Sequence, residues 1–166
     1  MRMKTRRMTK LALMTAVALI IFVFESLLPD LVPIPGVKLG LANIVTVYAV
    51  YRCRAWEAAL VLFCRIVLGA FFGGQIVSLL YSLAGGTLCL CGMLGLQRIL
   101  PARYIWVCSV FSAVLHNIGQ IAVAILITRT PELIVYLPVL LVSGCIAGLF
   151  TGLCAQFLVV RRDVPS

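Results

Sequence analysis

Long apolar runs separated by short polar or proline-rich breaks dominate the pattern along the chain. The first run covers about residues 10–28 and ends in Pro29-Asp30-Leu31-Val32-Pro33-Ile34-Pro35-Gly36. The second, Leu39 to Tyr51, is short and stops at Arg52-Cys53-Arg54. A third runs from Ala55 to about Phe72, where Gly73-Gly74 breaks it, and a fourth continues from Gln75 to Gln97. Arg98 to Arg103, with Pro101 inside, forms the next turn. The fifth run spans Tyr104 to Thr128 and closes at Arg129-Thr130-Pro131-Glu132. The sixth runs from Leu133 to Val160 and stops at Arg161-Arg162-Asp163. A helix needs about 20 residues, with a range of about 17–25, to cross the hydrocarbon core. The pattern therefore predicts an all-α integral membrane protein with six transmembrane helices. It divides into a basic stretch at 1–9, a single membrane domain at 10–160 and a short tail at 161–166.

Composition sharpens this picture. Of 166 residues, 63% are hydrophobic and 11% charged, against about 45–50% and about 25% in soluble domains. Too few charges remain to coat a water-facing surface, which excludes an ordinary soluble enzyme, a disordered tail and a nucleic-acid module. The net charge of +9 is explained by where the basic residues sit, at the ends of apolar runs. The first run follows Arg2, Lys4, Arg6, Arg7 and Lys10, as a signal peptide's would. Glu25-Ser26-Leu27-Leu28-Pro29 offers no small-x-small cleavage site, so a retained first helix is expected.

Orientation follows from the short loops. With the N-terminus inside, the inner segments carry eleven bases: Arg2, Lys4, Arg6, Arg7, Lys10, Arg52, Arg54, Arg98, Arg103, Arg161 and Arg162. The outer ones carry only Lys38 and Arg129, and Arg65 lies within a span. Both termini are expected in the cytoplasm, which requires an even number of spans, in a bacterial cytoplasmic membrane.

Ionisable groups within hydrocarbon cost at least about 2.5–3.5 kcal/mol near a helix centre, so each needs a reason. Arg65 stands roughly 15 Å above the start of the third run, His116 roughly 18 Å and Gln120 roughly 24 Å above the start of the fifth. Asn43 lies roughly 6 Å below the outer end of the second run. His116, Asn117 and Gln120 are three and four residues apart and can share a helix face, with Gly119 beside them. Tyr81-Ser82 in the fourth run is a weaker candidate. Pro33-Ile34-Pro35-Gly36 reads as a stiff cap, with Lys38 at the mouth of a cavity and Arg65 deeper in. Each group also has a plainer role. Arg65 can snorkel or pair with Glu25, the amides and histidine can bond across helices, and Lys38 can be a solvated loop charge. Their common height favours a site for an anionic or strongly polar ligand, one carrying phosphate or carboxylate. Small residues mark close helix approaches: Ala12 and Ala16 on the first run, and Gly144, Gly148 and Gly152 on the sixth.

Other chemistry is missing. Seven cysteines, an odd number without a CxxC pair, and a single histidine give no disulfide framework, metal site or paired haem ligation. The cysteines read as small apolar fillers. No GxxxxGK[ST] loop is present, and Glu25, Asp30, Glu57, Glu132 and Asp163 are scattered, with no aspartate-rich pair to hold magnesium for diphosphate chemistry. No cofactor is expected, and the chain is not expected to be a self-contained enzyme.

The segments singled out above resemble a known family. Pro35-Gly36-Val37-Lys38-Leu39-Gly40-Leu41-Ala42-Asn43-Ile44-Val45-Thr46 is highly characteristic of bacterial Gx transporter proteins, also labelled heptaprenyl diphosphate synthase component I. Leu80 to Gly86, His116 to Gln120 and Tyr136 to Pro138 look like that family's other marks. The family is similar to the substrate-binding S components of energy-coupling factor (ECF) transporters. Those are six-helix membrane proteins with cytoplasmic termini that capture a vitamin or precursor from outside. They dock on a membrane coupling subunit and cytoplasmic ATPases through an Ala-x-x-x-Ala motif on the first helix, whose place Ala12 and Ala16 occupy here. The synthase label implies instead a membrane subunit that assists long-chain prenyl diphosphate synthesis, with an isoprenoid-like ligand. Family members also look like membrane parts of flavin- or quinone-linked electron-transfer systems. The expected ligand-binding set is Lys38, Asn43, Arg65, Tyr81, His116, Asn117 and Gln120, with Ala12 and Ala16 facing a partner.

Overall fold

The computed structural model describes residues 5–27, 40–73 and 76–161, and their regular structure is entirely helical. The helices are α1 (Thr5–Ser26), α2 (Asn43–Arg52), α3 (Ala55–Gly73), α4 (Ile76–Leu96), α5 (Ile105–Thr128) and α6 (Leu137–Arg161). Short 3-10 turns at Ala102–Tyr104 and Pro131–Tyr136 lead into α5 and α6. Among the described residues, five helices are long and apolar enough to cross a membrane. The ten-residue α2 rises only about 15 Å and does not span by itself. The proline-rich cap and Lys38 lie outside the described residues.

Two boundaries differ from the apolar pattern for physical reasons. The sixth run begins as a 3-10 turn and becomes α-helical only at Leu137, because Pro138 lacks an amide hydrogen and suits a first helical turn. In contrast, α1 starts as early as Thr5, well inside the basic stretch. Arg7 is held there by Glu57 at the start of α3: its Nη2 donates to Glu57 Oε2 at 2.9 Å, and its Nε pairs with the other carboxylate oxygen. The same Oε2 accepts the Arg54 amide at 2.9 Å, capping α3.

The short second run sits inside the bundle. Helix α2 touches α1, α3, α4 and α6, and Asn43, Val45, Thr46, Val47, Ala49 and Val50 are all buried. Around it, α4, α5 and α6 form the most closely packed part. A Cβ on Gly119 would come within 2.9 Å of the Gly85 Cα, so α4 and α5 cross backbone to backbone. On α6, Gly148 and Gly152 likewise face Val110 and Trp106 of α5, where a Cβ would stand 2.8 and 2.6 Å from their Cα atoms. The glycine strip of α6 is thus an internal seam. In lipid, dispersion at such crossings and interhelical hydrogen bonds hold helices together, since exposed leucine is no worse off than buried leucine. Accordingly Leu13, Phe24, Phe71, Leu126, Ile146 and Phe157 are exposed.

Three contacts gather helix ends at one end of the bundle. Arg7 joins the starts of α1 and α3, Arg52 at the end of α2 donates to the Val159 carbonyl near the end of α6, and Gln97 beyond α4 donates to the Val50 carbonyl at 3.1 Å. The start of α1 and the end of α6 therefore lie at the same end.

Candidate functional site

Away from that end, polar side chains of four helices meet. Helix α1 finishes with buried Glu25, whose carboxylate accepts the amide of Gly40. Gly40 has φ of +81°, a left-handed conformation that suits glycine. A side chain there would also press on the Asn43 amide, its Cβ falling 3.0 Å from Nδ2. From α3, Arg65 is only 6% exposed and points Nη2 at Asn43 Oδ1, 3.4 Å away. Glu25, Cys89 and His116 all lie close enough to Arg65 to interact with its charge.

The α4–α5 crossing supplies the other wall. Because Gly85 has no Cβ, the α5 backbone approaches until a methyl there would sit 2.7 Å from the His116 carbonyl, 3.0 Å from its Nδ1 and 2.9 Å from Gln120 Cγ. His116 and Gln120 therefore flank Gly85, one helical turn apart. Both are buried, and the imidazole rests on the Gly85 backbone. Asn117 points the other way, donating its Nδ2 to the Leu140 carbonyl of α6. Among the described residues, Arg65 Nε, Gln120 Oε1 and Ser112 Oγ are buried with no hydrogen-bond partner. Buried polar groups are normally satisfied, so these atoms are poised for something beyond the protein chain.

A small cavity lies beneath, bordered by Asn43, Cys89, Ser109, His116, Asn117 and Thr151. Its volume is about 10 Å³, enough for about one water molecule. Ser109 and Thr151 share a 3.1 Å hydrogen bond across its floor. The cavity's volume is far below the roughly 300–1,000 Å³ of a typical ligand pocket.

The profile of the heptaprenyl diphosphate synthase component I family matches residues 14–158. The chain belongs to that family. No curated protein and no solved structure matches it. Three of the segments that resemble this family converge on the polar junction. Gly40 to Thr46 brings Asn43, Leu80 to Gly86 brings Gly85, and His116 to Gln120 brings the α5 set. The fourth, Tyr136 to Pro138, opens α6 just before Leu140, whose carbonyl holds Asn117.

Of the expected site residues, the fold thus brings Asn43, Arg65, His116 and Gln120 together. Asn117 borders the small cavity, but its amide is committed to α6. Tyr81 is buried on α4 one turn before Gly85. Lys38 lies outside the described residues. Ala12 and Ala16 are exposed on the outer face of α1 with Met8 and Ile20. Gly85, Ser109, Ser112 and Thr151 were given no part by the sequence pattern. The serines had a signal, since Ser109, Ser112 and His116 recur at helical spacing on one face of α5. Gly85 had only its place in a family segment.

Proposed function

We propose that this chain is a non-catalytic, substrate-binding membrane subunit, similar to an ECF S component, that takes an anionic or strongly polar small molecule at the Arg65–Asn43–His116–Gln120 junction. In this reading it crosses the bacterial cytoplasmic membrane six times with both termini inside, α2 belonging to the second crossing. The site then opens outward, and Ala12 and Ala16 meet a coupling partner that works with ATPases. The observation that carries the reading is Arg65, a buried guanidinium with an unpartnered Nε at the meeting point of four helices. An incoming anion completes its hydrogen bonds in competition with Glu25, which the Gly40 amide holds in place. Burying a guanidinium is costly enough that a purely structural role is better served by an apolar residue.

The family description supports a second reading. A membrane component I acts beside a separate catalytic component of heptaprenyl diphosphate synthase, holding the isoprenoid or the partner. Native mass spectrometry of the gently purified protein tests both. The first reading expects a small non-lipid mass that disappears in Arg65→Gln, together with subunits of a coupling module. Co-purification of a soluble prenyltransferase, whose product length changes when this chain is withheld, supports the second. A ligand mass that persists unchanged in Arg65→Gln would sink the site.

A further inference from the structure

Two sulfur atoms and one imidazole border the same small cavity. Cys89 and Met93 stand one turn apart on α4, 2% and 1% exposed, and both line it together with His116 of α5. The two helices run antiparallel, since Gly85 faces His116 and Gln120 whereas Gly92 faces Ser112 and Leu115. Helical side chains lean towards their own N-terminus. Cys89 therefore leans towards the level of Gly85, His116 leans towards Cys89 from the opposing helix, and Met93 leans back onto Cys89. Both Cys89 and His116 interact with the charge of Arg65, which sets them beside one guanidinium. His116 turns Nδ1 to the α4 backbone at Gly85. Nε2 is then the ring's ligand nitrogen, the usual division in a metal-bound imidazole.

A thiol, a thioether and an imidazole around one water-sized space form a donor set for a soft cation. We propose that Cys89, Met93 and His116 bind a single soft monovalent ion of the copper(I) class in the cavity between α2, α4, α5 and α6. This is a second site, independent of the anion reading, and Arg65 is not one of its ligands. The size of the cavity suits it: a volume of about 10 Å³ admits one bare ion whose ligands replace its water, and nothing larger. Charge selects the valence. Arg65 and Glu25 already offset each other. Binding releases the Cys89 thiol proton to water, so a monovalent ion replaces one positive charge and leaves the local sum unchanged. A divalent ion would add a positive charge beside Arg65 with nothing to offset it. Donor type points the same way. Zinc favours four ligands from Cys, His and carboxylates, and among the described residues no three His, Cys, Asp or Glu side chains gather for a metal. The hard oxygens at the cavity are engaged elsewhere: Ser109 and Thr151 bond each other, and Asn43 Oδ1 faces Arg65. That disfavours sodium and potassium. Because Met93 supplies the third ligand, neither a CxxC pair nor a second histidine is needed.

The test uses the full chain in detergent under anaerobic, reducing conditions, with copper(I) presented as its bathocuproine disulfonate complex and zinc(II) as control. The expected result is one copper(I) per chain drawn from the chelator, with an X-ray absorption spectrum fitted by two sulfur scatterers and one nitrogen. Cys89→Ser should abolish this. Met93→Leu, a volume-conserving change that keeps the packing, should weaken it at least about tenfold. Cys91→Ser, at an exposed position of the same helix, should leave it unchanged. If Cys89→Ser does not fold, Met93→Leu decides alone. Copper held as tightly in Met93→Leu as in the parent chain, or an all-sulfur spectrum, overturns the inference and assigns the metal to the other cysteines. Zinc(II) bound as tightly as copper(I) overturns it as well. A chain that takes no copper(I) also overturns it and leaves Cys89 and Met93 as apolar fillers. None of these results touches the anion reading, whose own test is the mass lost in Arg65→Gln.

Discussion

At the scale of single residues, Glu57 and Gly85 do the most with the least sequence signal. Glu57 reads as one of five scattered acids, yet in the fold its carboxylate is almost wholly buried and accepts from both Arg7 and the Arg54 amide. Arg7 itself is 39% exposed, so solvent screens part of the pair. Arg7→Ala should still cost about 1.5 kcal/mol of stability, because it strips a charged hydrogen bond from a buried carboxylate. Thermal unfolding in detergent checks this, and a change within about 0.5 kcal/mol would show the pair to be incidental. Gly85 gives a sharper contrast. Gly85→Ala places a methyl against the His116 carbonyl, a backbone atom that cannot turn aside, and should cost about 1–3 kcal/mol as an overpacked contact. Gly95→Ala, with nothing within 4 Å of the added carbon, should be neutral or gain up to about 1 kcal/mol of helix propensity. Equal melting temperatures for the two variants would contradict the close α4–α5 crossing.

Among elements, the informative pair is α5 and α6. The Gly144, Gly148 and Gly152 strip faces α5, and Asn117 and Ser109 bond across the same seam to Leu140 and Thr151. Asn117→Ala is therefore expected to act on helix association, by about 0.6 kcal/mol and at most about 1.7, and to leave ligand affinity largely intact. Arg65→Gln should do the reverse. Comparing unfolding with retention of the co-purified ligand for the two variants separates the roles. A large affinity loss in Asn117→Ala without destabilisation would return that amide to the ligand site. Helix α2 makes the complementary point: ten residues are too few for a span, and their burial on nearly every side places Asn43 at the centre of the bundle.

For the whole molecule, the gathering of the α1 start and the α6 end at one end of the bundle bears on topology. If that end is cytoplasmic, a protease-sensitive tag on either terminus should be cut in inside-out vesicles and protected in right-side-out ones. Tags that respond on opposite sides would contradict this gathering of the two helix ends and an even number of crossings. The exposed Met8-Ala12-Ala16-Ile20 face of α1 belongs to this scale too. Bulky replacements there should leave the unfolding temperature unchanged, since these side chains touch little inside the chain, while weakening capture of a membrane partner.

The sequence alone determined that this is a helical membrane protein, where most of its helices run, and which ionisable groups lie among apolar residues. Hydrophobic run length and the cost of burying charge are local quantities, legible without coordinates. It also marked Asn43, Arg65, His116, Asn117 and Gln120 as residues that share a level. Only the tertiary structure decided which of them meet. The choice depended on which glycines let backbones touch: Gly85 draws His116 and Gln120 to the junction, while the α6 seam draws Asn117 away. It also placed α2 inside the bundle and gave Glu57 its partners. Those outcomes are set by packing between segments far apart in the chain, which no pattern along a single run encodes.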